Sequence, residues 1–270
     1  MICKVGSCET AARAKQGSPA KSEAGVGYLH SMRSDLLVRT IARLPRPVRS
    51  AGSFWSVASS VADDPYAADQ GLVDLMLEAA TKARTVDLSS VASRSNAEYR
   101  RYVECWPGEH YKFLAGLVQT LRPKVVVEVG TFRGHSALTL LAASPDVQVT
   151  TFDVVAWTEQ EGTLLRADDF ADGRLNQVVG DLSQEPVGMA HMDLLAEADL
   201  LFLDGPKDGH FEQAFVADLL PRLTERRRII GFDDIKMLSM VDLWRSLPYA
   251  KIDATSVGHW AGTGLVATRA

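Results

Sequence analysis

Apolar positions along this chain follow two rhythms, and the change falls at residue 124. Before it they recur at helical spacing. Leu36, Leu37, Ile41 and Leu44 mark an amphipathic helix over Ser34–Val48, with Arg33, Arg39 and Arg43 on its other faces and Pro45 and Pro47 ending it. Residues 70–83 (QGLVDLMLEAATKA) predict a second helix and 108–121 (GEHYKFLAGLVQTL) a third. Residues 1–25 are rich in Gly, Ser, Ala and Lys without periodicity and predict a disordered tail. The basic stripe of the 34–48 helix leaves its apolar stripe needing a partner, and a second copy of the chain through these N-terminal helices is the expectation.

From residue 124 short β-branched runs alternate with helical stretches. KVVVEV (124–129) reads as a buried strand, HSALTLLAA as a helix, 148–155 as a strand and TEQEGTLLRADDF as a helix. NQVVGD (176–181) and ADLLFLD (198–204) read as strands, GHFEQAFVADLLPRL as a helix, RRIIGFDD (227–234) as a strand and MLSMVDLWRSL as a short helix. YAKIDATS and GLVATRA close the chain as two strands. The alternation predicts an α/β fold: a doubly wound, mostly parallel seven-stranded sheet with helices on both faces. Only VGHWAGT separates the last two strands, too little for a helical crossover, so they should form an antiparallel hairpin. Three regions follow: a tail over 1–25, a helical N-terminal extension or cap over 26–123, and the alternating domain over 124–270.

Composition narrows the classes. The 270 residues are 46% hydrophobic and 23% charged, an ordinary globular balance. Net charge is −5, which disfavours a nucleic-acid binder. Residues 1–50 carry +6, however, leaving −11 for the remainder. That basic start reads as a solvated tail and helix rather than a nucleic-acid arm. No apolar run reaches the length of a membrane span, and the N-terminus lacks the apolar stretch of a signal peptide. Cys3, Cys8 and Cys105 are too few for a disulfide framework, so a cytoplasmic protein with reduced thiols is expected.

The chemistry gathers at predicted strand ends. The first strand runs into Glu128-Val129-Gly130-Thr131-Phe132-Arg133-Gly134-His135-Ser136, a glycine turn that lets a ligand approach backbone N–H groups. Phe132 stands where a dinucleotide fingerprint has its middle glycine, which disfavours a nicotinamide enzyme. Asp153 ends the second strand, where an acid can accept ribose hydroxyls, and Asp181 ends the third, at the height of an adenine. Each could instead cap a helix. Asp204 ends the fourth strand, and Asp233 and Asp234 the fifth. Three carboxylates at neighbouring strand ends are costly without a cation, and a hard divalent ion such as Mg²⁺ would resolve the repulsion.

The segments VVVEVGTFRGHSALTL, DLLFLDGPKDGHFEQ and RIIGFDDI resemble the class I S-adenosylmethionine-dependent O-methyltransferases, in the metal-dependent, catechol O-methyltransferase-like branch. The resemblance covers 124–269, a little over half the chain. It implies that Glu128, Gly130 and Gly134 line the methionine and ribose of S-adenosylmethionine, with Thr131, Ser136 and Asp204 on the same side. It implies that Asp153 holds the ribose, that Asp181 and Leu182 flank the adenine, that Asp204, Asp233 and Asp234 ligate Mg²⁺ or another divalent cation, and that Lys207 is the general base. The implied reaction is methyl transfer to a hydroxyl of a small-molecule catechol, phenol or vicinal diol.

Departures keep other readings open. An Asp-Asp pair also suits sugar or glycoside O-methyltransferases, whose acidic base two residues after the first ligand is replaced here by Pro206. A non-catalytic S-adenosylmethionine-binding protein would not need the acidic trio. A nucleic-acid methyltransferase would favour a basic face and an Asn-Pro-Pro-aromatic motif, and that motif is absent. His210 rivals Lys207 as base because imidazole titrates near neutrality. His259, in the last hairpin loop, and His135, in the glycine turn, complete the histidines near the expected edge. Trp55, Trp106 and Tyr111 are candidate aromatic walls, or ordinary core residues.

Overall fold

The computed structural model describes residues 66–208 and 210–269. The expected tail over 1–25, the 34–48 helix with any dimer it forms, and Trp55 lie outside the described residues.

Helix α1 (Gln70–Ala83) starts at Asp69, whose carboxylate accepts the Leu72 N–H at 2.7 Å. Two short helices follow, α2 (Ser89–Ala92) and α3 (Ala97–Glu104), and then α4 (His110–Leu121). Helices α1 and α4 pack closely because Gly116 has no side chain: a Cβ there would lie 2.2 Å from the Ala79 carbonyl. The alternating region then gives β1 (Val125–Val129), α5 (His135–Ala143), β2 (Gln148–Asp153), β3 (Leu175–Val179), α6 (Glu185–Ala190), α7 (Met192–Glu197) and β4 (Leu200–Leu203). It continues through α8 (Phe211–Ala214), β5 (Ile229–Asp233), α9 (Leu238–Ser246), β6 (Ala250–Asp253) and β7 (Thr263–Ala267).

The strands form one sheet in the order β3-β2-β1-β4-β5-β7-β6. The first five are parallel, and β7 runs antiparallel between β5 and β6. This is the expected doubly wound, mostly parallel seven-stranded sheet with its antiparallel closing hairpin. Both faces are covered. Leu72, Phe113, Leu117 and Leu140 pack on one face and Leu195, Phe215, Leu220 and Trp244 on the other, which is why the central strands are continuous apolar runs. The chain winds outward from β1 in one direction and from β4 in the other. Their carboxyl ends therefore diverge and leave a crevice, the place where such sheets bind ligands. Among the described residues, no helix is long and apolar enough to cross a membrane.

One predicted helix is absent. TEQEGTLLRADDF forms turns and a 3₁₀ turn at Ala167–Phe170. Gly162 takes a positive φ of 72°, and the Leu164 N–H bonds the Arg133 carbonyl rather than a carbonyl one turn back. The predicted helix GHFEQAFVADLLPRL is helical but irregular. It passes from α8 into a π segment (Phe215–Leu219) and then a 3₁₀ segment (Leu220–Leu223), and Pro221 has no N–H to continue an α ladder.

Candidate functional site

The crevice is built from strand ends. Leaving β1, the chain reverses at Gly130, whose φ is 99° and whose Cβ, if present, would lie 2.1 Å from the Asp204 carbonyl. Only glycine fits there. Gly134 has a φ of 85° and lies under Leu165, which a Cβ would meet at 2.5 Å. Between them the Phe132 N–H donates to Oδ2 of Asp153 at 2.8 Å, while Oδ1 of Asp153 accepts the Val155 N–H at 3.0 Å. The β2 carboxylate thus pins the glycine turn of β1. At the end of β3, Asp181 accepts from the Ser183 N–H (2.8 Å) and hydroxyl (2.6 Å), which turns the chain into α6.

These ends enclose a cavity of about 650 Å³, a size suited to a nucleoside-containing ligand. Gly130, Asp153, Asp181, Leu182, Asp204 and His210 line it. Of the predicted cofactor residues, Glu128, Thr131, Gly134 and Ser136 are outside its wall. The side chains of Glu128, Thr131 and Ser136 are buried behind the turn. The Thr151 hydroxyl donates to Oε2 of Glu128 at 2.6 Å, and burial pushes this carboxyl up to about 7 against the hydroxyls of Ser136 and Thr151. His135 is a core residue, stacked on Tyr99 at 4.9 Å, and burial holds its imidazole down at about 4.

Asp204 joins this cavity to an acidic cluster. Its Oδ1 accepts from Nζ of Lys207 at 2.8 Å, and the same ammonium donates to the Gly205 carbonyl at 3.0 Å and lies 3.8 Å from Oδ2 of Asp234. Lys207 and Asp234 both have left-handed backbones, with φ of 55° and 59°. The Lys207 N–H is held by the buried carboxylate of Glu212 at 3.1 Å. Burial alone would push the Lys207 ammonium down, but the carboxylates of Asp204 and Asp233 hold it up. The Asp204 carboxyl is pushed up by burial and by Asp233, against Lys207.

Beyond Asp204 lie residues that the sequence did not single out. Glu109 and His110 enter from the start of α4, and an isolated bridge pairs Gly108 with His259 of the β6–β7 loop. Oε2 of Glu109 accepts from Nε2 of His259 at 2.7 Å. Nδ1 of His259 lies 3.4 Å from Oδ1 of Asp233 and 3.4 Å from Oδ1 of Asp234. Nδ1 of His110 lies 3.3 Å from the same Oδ1 of Asp233. Burial would push His259 down, but the carboxylates of Asp233, Asp234 and Glu109 around its ring carry it up to about 12. Asp233 is correspondingly held far below the usual carboxylate range. Tyr111, beside His110, has its phenol pushed up by burial and by Asp204 and Glu109. Trp106 is a partly buried core residue. No local signal marks Glu109 or His110, because only the tertiary bridge brings them here.

The predicted metal trio is only partly convergent. Among the described residues, ligand atoms cluster within 4.8 Å in two groups, Asp233 with Asp234 and His259, and Glu109 with His110 and His259. Asp204 belongs to neither group; Lys207 occupies its near oxygen. Oδ1 of Asp233, Nδ1 of His259 and both ring nitrogens of His110 are buried without a hydrogen bond. Unsatisfied donor atoms converging in one place fit a divalent cation at Asp233 and Asp234.

Residues 127–235, from β1 to just past β5, match the profile of a family described as methyltransferase domain. This segment is a methyltransferase domain. No curated protein matches the chain. The methyltransferase domain and its surroundings are similar to a SAH-bound methyltransferase of Podospora anserina, at 14% identity over 72% of this chain and 87% of that one, with a TM-score of 0.42. A methyltransferase from Geobacter sulfurreducens is similar at 18% identity over 67% and 90%, with a TM-score of 0.46. The O-methyltransferase TomG of Streptomyces achromogenes, in complex with SAM and involved in tomaymycin synthesis, is similar at 18% identity over 78% and 95%, with a TM-score of 0.41.

Proposed function

We propose that this methyltransferase moves the methyl group of S-adenosylmethionine to a hydroxyl of a small molecule, with a catechol, phenol or vicinal diol as the acceptor class. The observation that carries the reading is the position of Asp204. It lines the cofactor-sized cavity on one side and meets Lys207 on the other, so methyl donor and acidic cluster share one boundary. In that cavity Asp153 has carboxylate capacity for ribose hydroxyls beyond its two backbone bonds, and Leu182 and Asp181 flank the base.

The acceptor oxygen attacks the methyl carbon in line with the C–S bond, and the bonding pair stays on sulfur as the sulfonium becomes a thioether. The hydroxyl proton leaves to the cluster. Lys207 receives it once its own ammonium has lost a proton to solvent, with Asp204, 2.8 Å away, holding the amine in place. A divalent cation bound at Asp233 and Asp234 would polarise an acceptor hydroxyl, and adjacent acceptor oxygens could then chelate it. The protein's own contribution is mainly alignment of donor and acceptor, a term worth several kcal/mol in such reactions. The experiment is a methyl-transfer screen of the full chain over catechols, phenols and glycosides, with calorimetry of S-adenosylmethionine and NAD. Binding of S-adenosylmethionine and product only with hydroxyl acceptors is expected; NAD binding in its place overturns the reading.

A further inference from the structure

Glu212, in the short helix α8, is a wholly buried acid to which the proposed reaction gives no task. Its Oε1 accepts the Lys207 N–H at 3.1 Å, and its Oε2 is buried without a hydrogen bond. Burying a carboxylate is costly, and an apolar side chain would pack the same place without that cost. Capping of α8 does not account for it. Asp208 already does that: its Oδ1 accepts the N–H groups of His210 at 2.8 Å and Phe211 at 3.1 Å. Glu212 reaches back past this cap to a residue outside the helix. That residue has an unusual backbone. Lys207 takes a φ of 55°, a left-handed conformation that a residue with a Cβ disfavours and that persists only where neighbours hold it. The loop closes tightly over the carboxylate. A Cβ on Gly205 would lie 3.1 Å from Oε1 of Glu212 and 2.7 Å from the Phe211 ring. Nζ of Lys207 folds back to the Gly205 carbonyl at 3.0 Å, and the side chain is left only 5% exposed. The same device recurs across the crevice, where Phe132, with a φ of 42°, gives its N–H to the carboxylate of Asp153.

We propose that Glu212 is the positioning residue of the Lys207 loop: its carboxylate, by accepting the Lys207 N–H, holds the left-handed turn that keeps the lysine side chain buried between the cofactor cavity and the acidic cluster. Glu212 does not line the cavity and acts only through Lys207. The inference rests on the proposed methyl transfer for what Lys207 does, not for how Glu212 holds it.

The test is timed acetylation of the full-length chain with acetic anhydride, read by peptide mass spectrometry in wild type, Glu212→Gln and Glu212→Met. Exposed Lys124 is the reference for the reagent, and Lys251, buried in β6, reports on global opening. Glu212→Met removes the acceptor at similar length. Acetylation of Lys207 relative to Lys124 should rise about tenfold in it, the change in opening that one lost buried hydrogen bond produces. Lys251 should keep its wild-type rate. Glu212→Gln retains an oxygen for the N–H and should keep Lys207 protected. An unchanged Lys207 rate in Glu212→Met overturns the proposal. So does a parallel rise of Lys207 and Lys251, which makes Glu212 a residue of general stability, and so does equal loss of protection in Glu212→Gln and Glu212→Met. If Glu212→Met does not fold, the same substitution in a Lys207→Gly chain should fold, because glycine takes the left-handed backbone unaided; failure there also overturns the proposal. Methyl transfer to an acceptor returned by the screen separates positioning from chemistry. Glu212→Met should lower kcat about 10²-fold, as for a misplaced reacting group, and leave KM for S-adenosylmethionine within about threefold. In a Lys207→Met chain it should change kcat by less than about twofold, because its effect passes through Lys207. An equal fall in both backgrounds overturns the proposal. Released Lys207 with an unchanged kcat upholds the positioning and removes Lys207 as the base instead.

Discussion

Nζ of Lys207 lies 2.8 Å from Oδ1 of Asp204, and this pair stands at the wall between the cofactor cavity and the acidic cluster. Neither residue can change charge without the other responding. The ammonium is held up by Asp204 and Asp233 despite its burial, and the carboxyl is pushed up by burial and Asp233. A base built this way gains its free amine only as pH rises. Methyl transfer should therefore climb through the alkaline range, provided that folding holds. Lys207→Met should lower the rate about 10²–10⁴-fold and remove that alkaline rise. Its effect on S-adenosylmethionine affinity should be small, because the side chain does not line the cavity. His210, exposed on the cavity wall beside Asp208, should cost far less as Ala. A full alkaline profile in Lys207→Met would remove Lys207 from proton transfer.

Asp153 has two tasks in this geometry, and they can be separated. It pins the glycine turn through the Phe132 N–H, and it faces the cavity. Asp153→Ala should weaken S-adenosylmethionine by roughly 1–3 kcal/mol, the usual cost of losing hydrogen bonds to a charged group. Asp153→Asn keeps an oxygen for the Phe132 N–H and should lose less. Equal losses in the two variants, measured by calorimetry, would mean that the charge alone matters and that the turn does not depend on this carboxylate.

Gly130 carries a different constraint. Its φ of 99° and the 2.1 Å approach that a Cβ would make to the Asp204 carbonyl leave no room for alanine without moving the β1 and β4 ends apart. Gly130→Ala should destabilise the fold by several kcal/mol, about 2–5 where an incompatible backbone and a clash combine. Cofactor binding should be lost even where the chain stays folded. Gly173, with a similar positive φ of 74° but nothing within 4 Å, serves as the control, since Gly173→Ala bears the backbone strain without the clash. Equal destabilisation by both substitutions in thermal melts would refute the contact argument.

Much of this site was legible from residues whose position in a strand determines their position in space. Asp153, Asp204 and Asp233 each stand at the carboxyl end of a parallel strand or just past it, and alternation with helices orders those strands. The loop between β2 and β3 was misread because LLRADDF has helical composition while its backbone partners lie elsewhere. The Leu164 N–H bonds Arg133, and Leu165 covers Gly134. Glu109 and His110 were illegible for a deeper reason. Their role depends on the bridge from Gly108 to His259, two segments far apart in the chain that no periodicity relates. The Asp204 assignment to a metal drew on repulsion between like charges. Lys207, His110 and His259 also stand among these carboxylates, and a count of acids along the strands does not reveal them.

Glu128 offers a test of how much of the fold's pH dependence comes from one buried group. It is fully buried near the carboxyl end of β1, accepts the Thr151 hydroxyl at 2.6 Å, and has a carboxyl pushed up to about 7 from an ordinary 4.5. A carboxyl whose folded pKa exceeds its unfolded value binds more protons in the folded state between those two values. Its stabilising contribution is fully present below pH 4.5 and is lost as pH rises through 7. A shift of this size corresponds to a loss on the order of 3 kcal/mol across that window. Thermal melts between pH 5 and 8 should therefore show stability falling with pH, against the opposing gain from Asp233, whose depressed pKa places its contribution at lower pH. Glu128→Gln keeps the shape and one acceptor but cannot ionise. Its melting temperature should be nearly flat over the same range, meeting or exceeding the wild type above pH 7. A Glu128→Gln curve that falls in parallel with the wild type would assign the slope to another group and leave Glu128 protonated throughout.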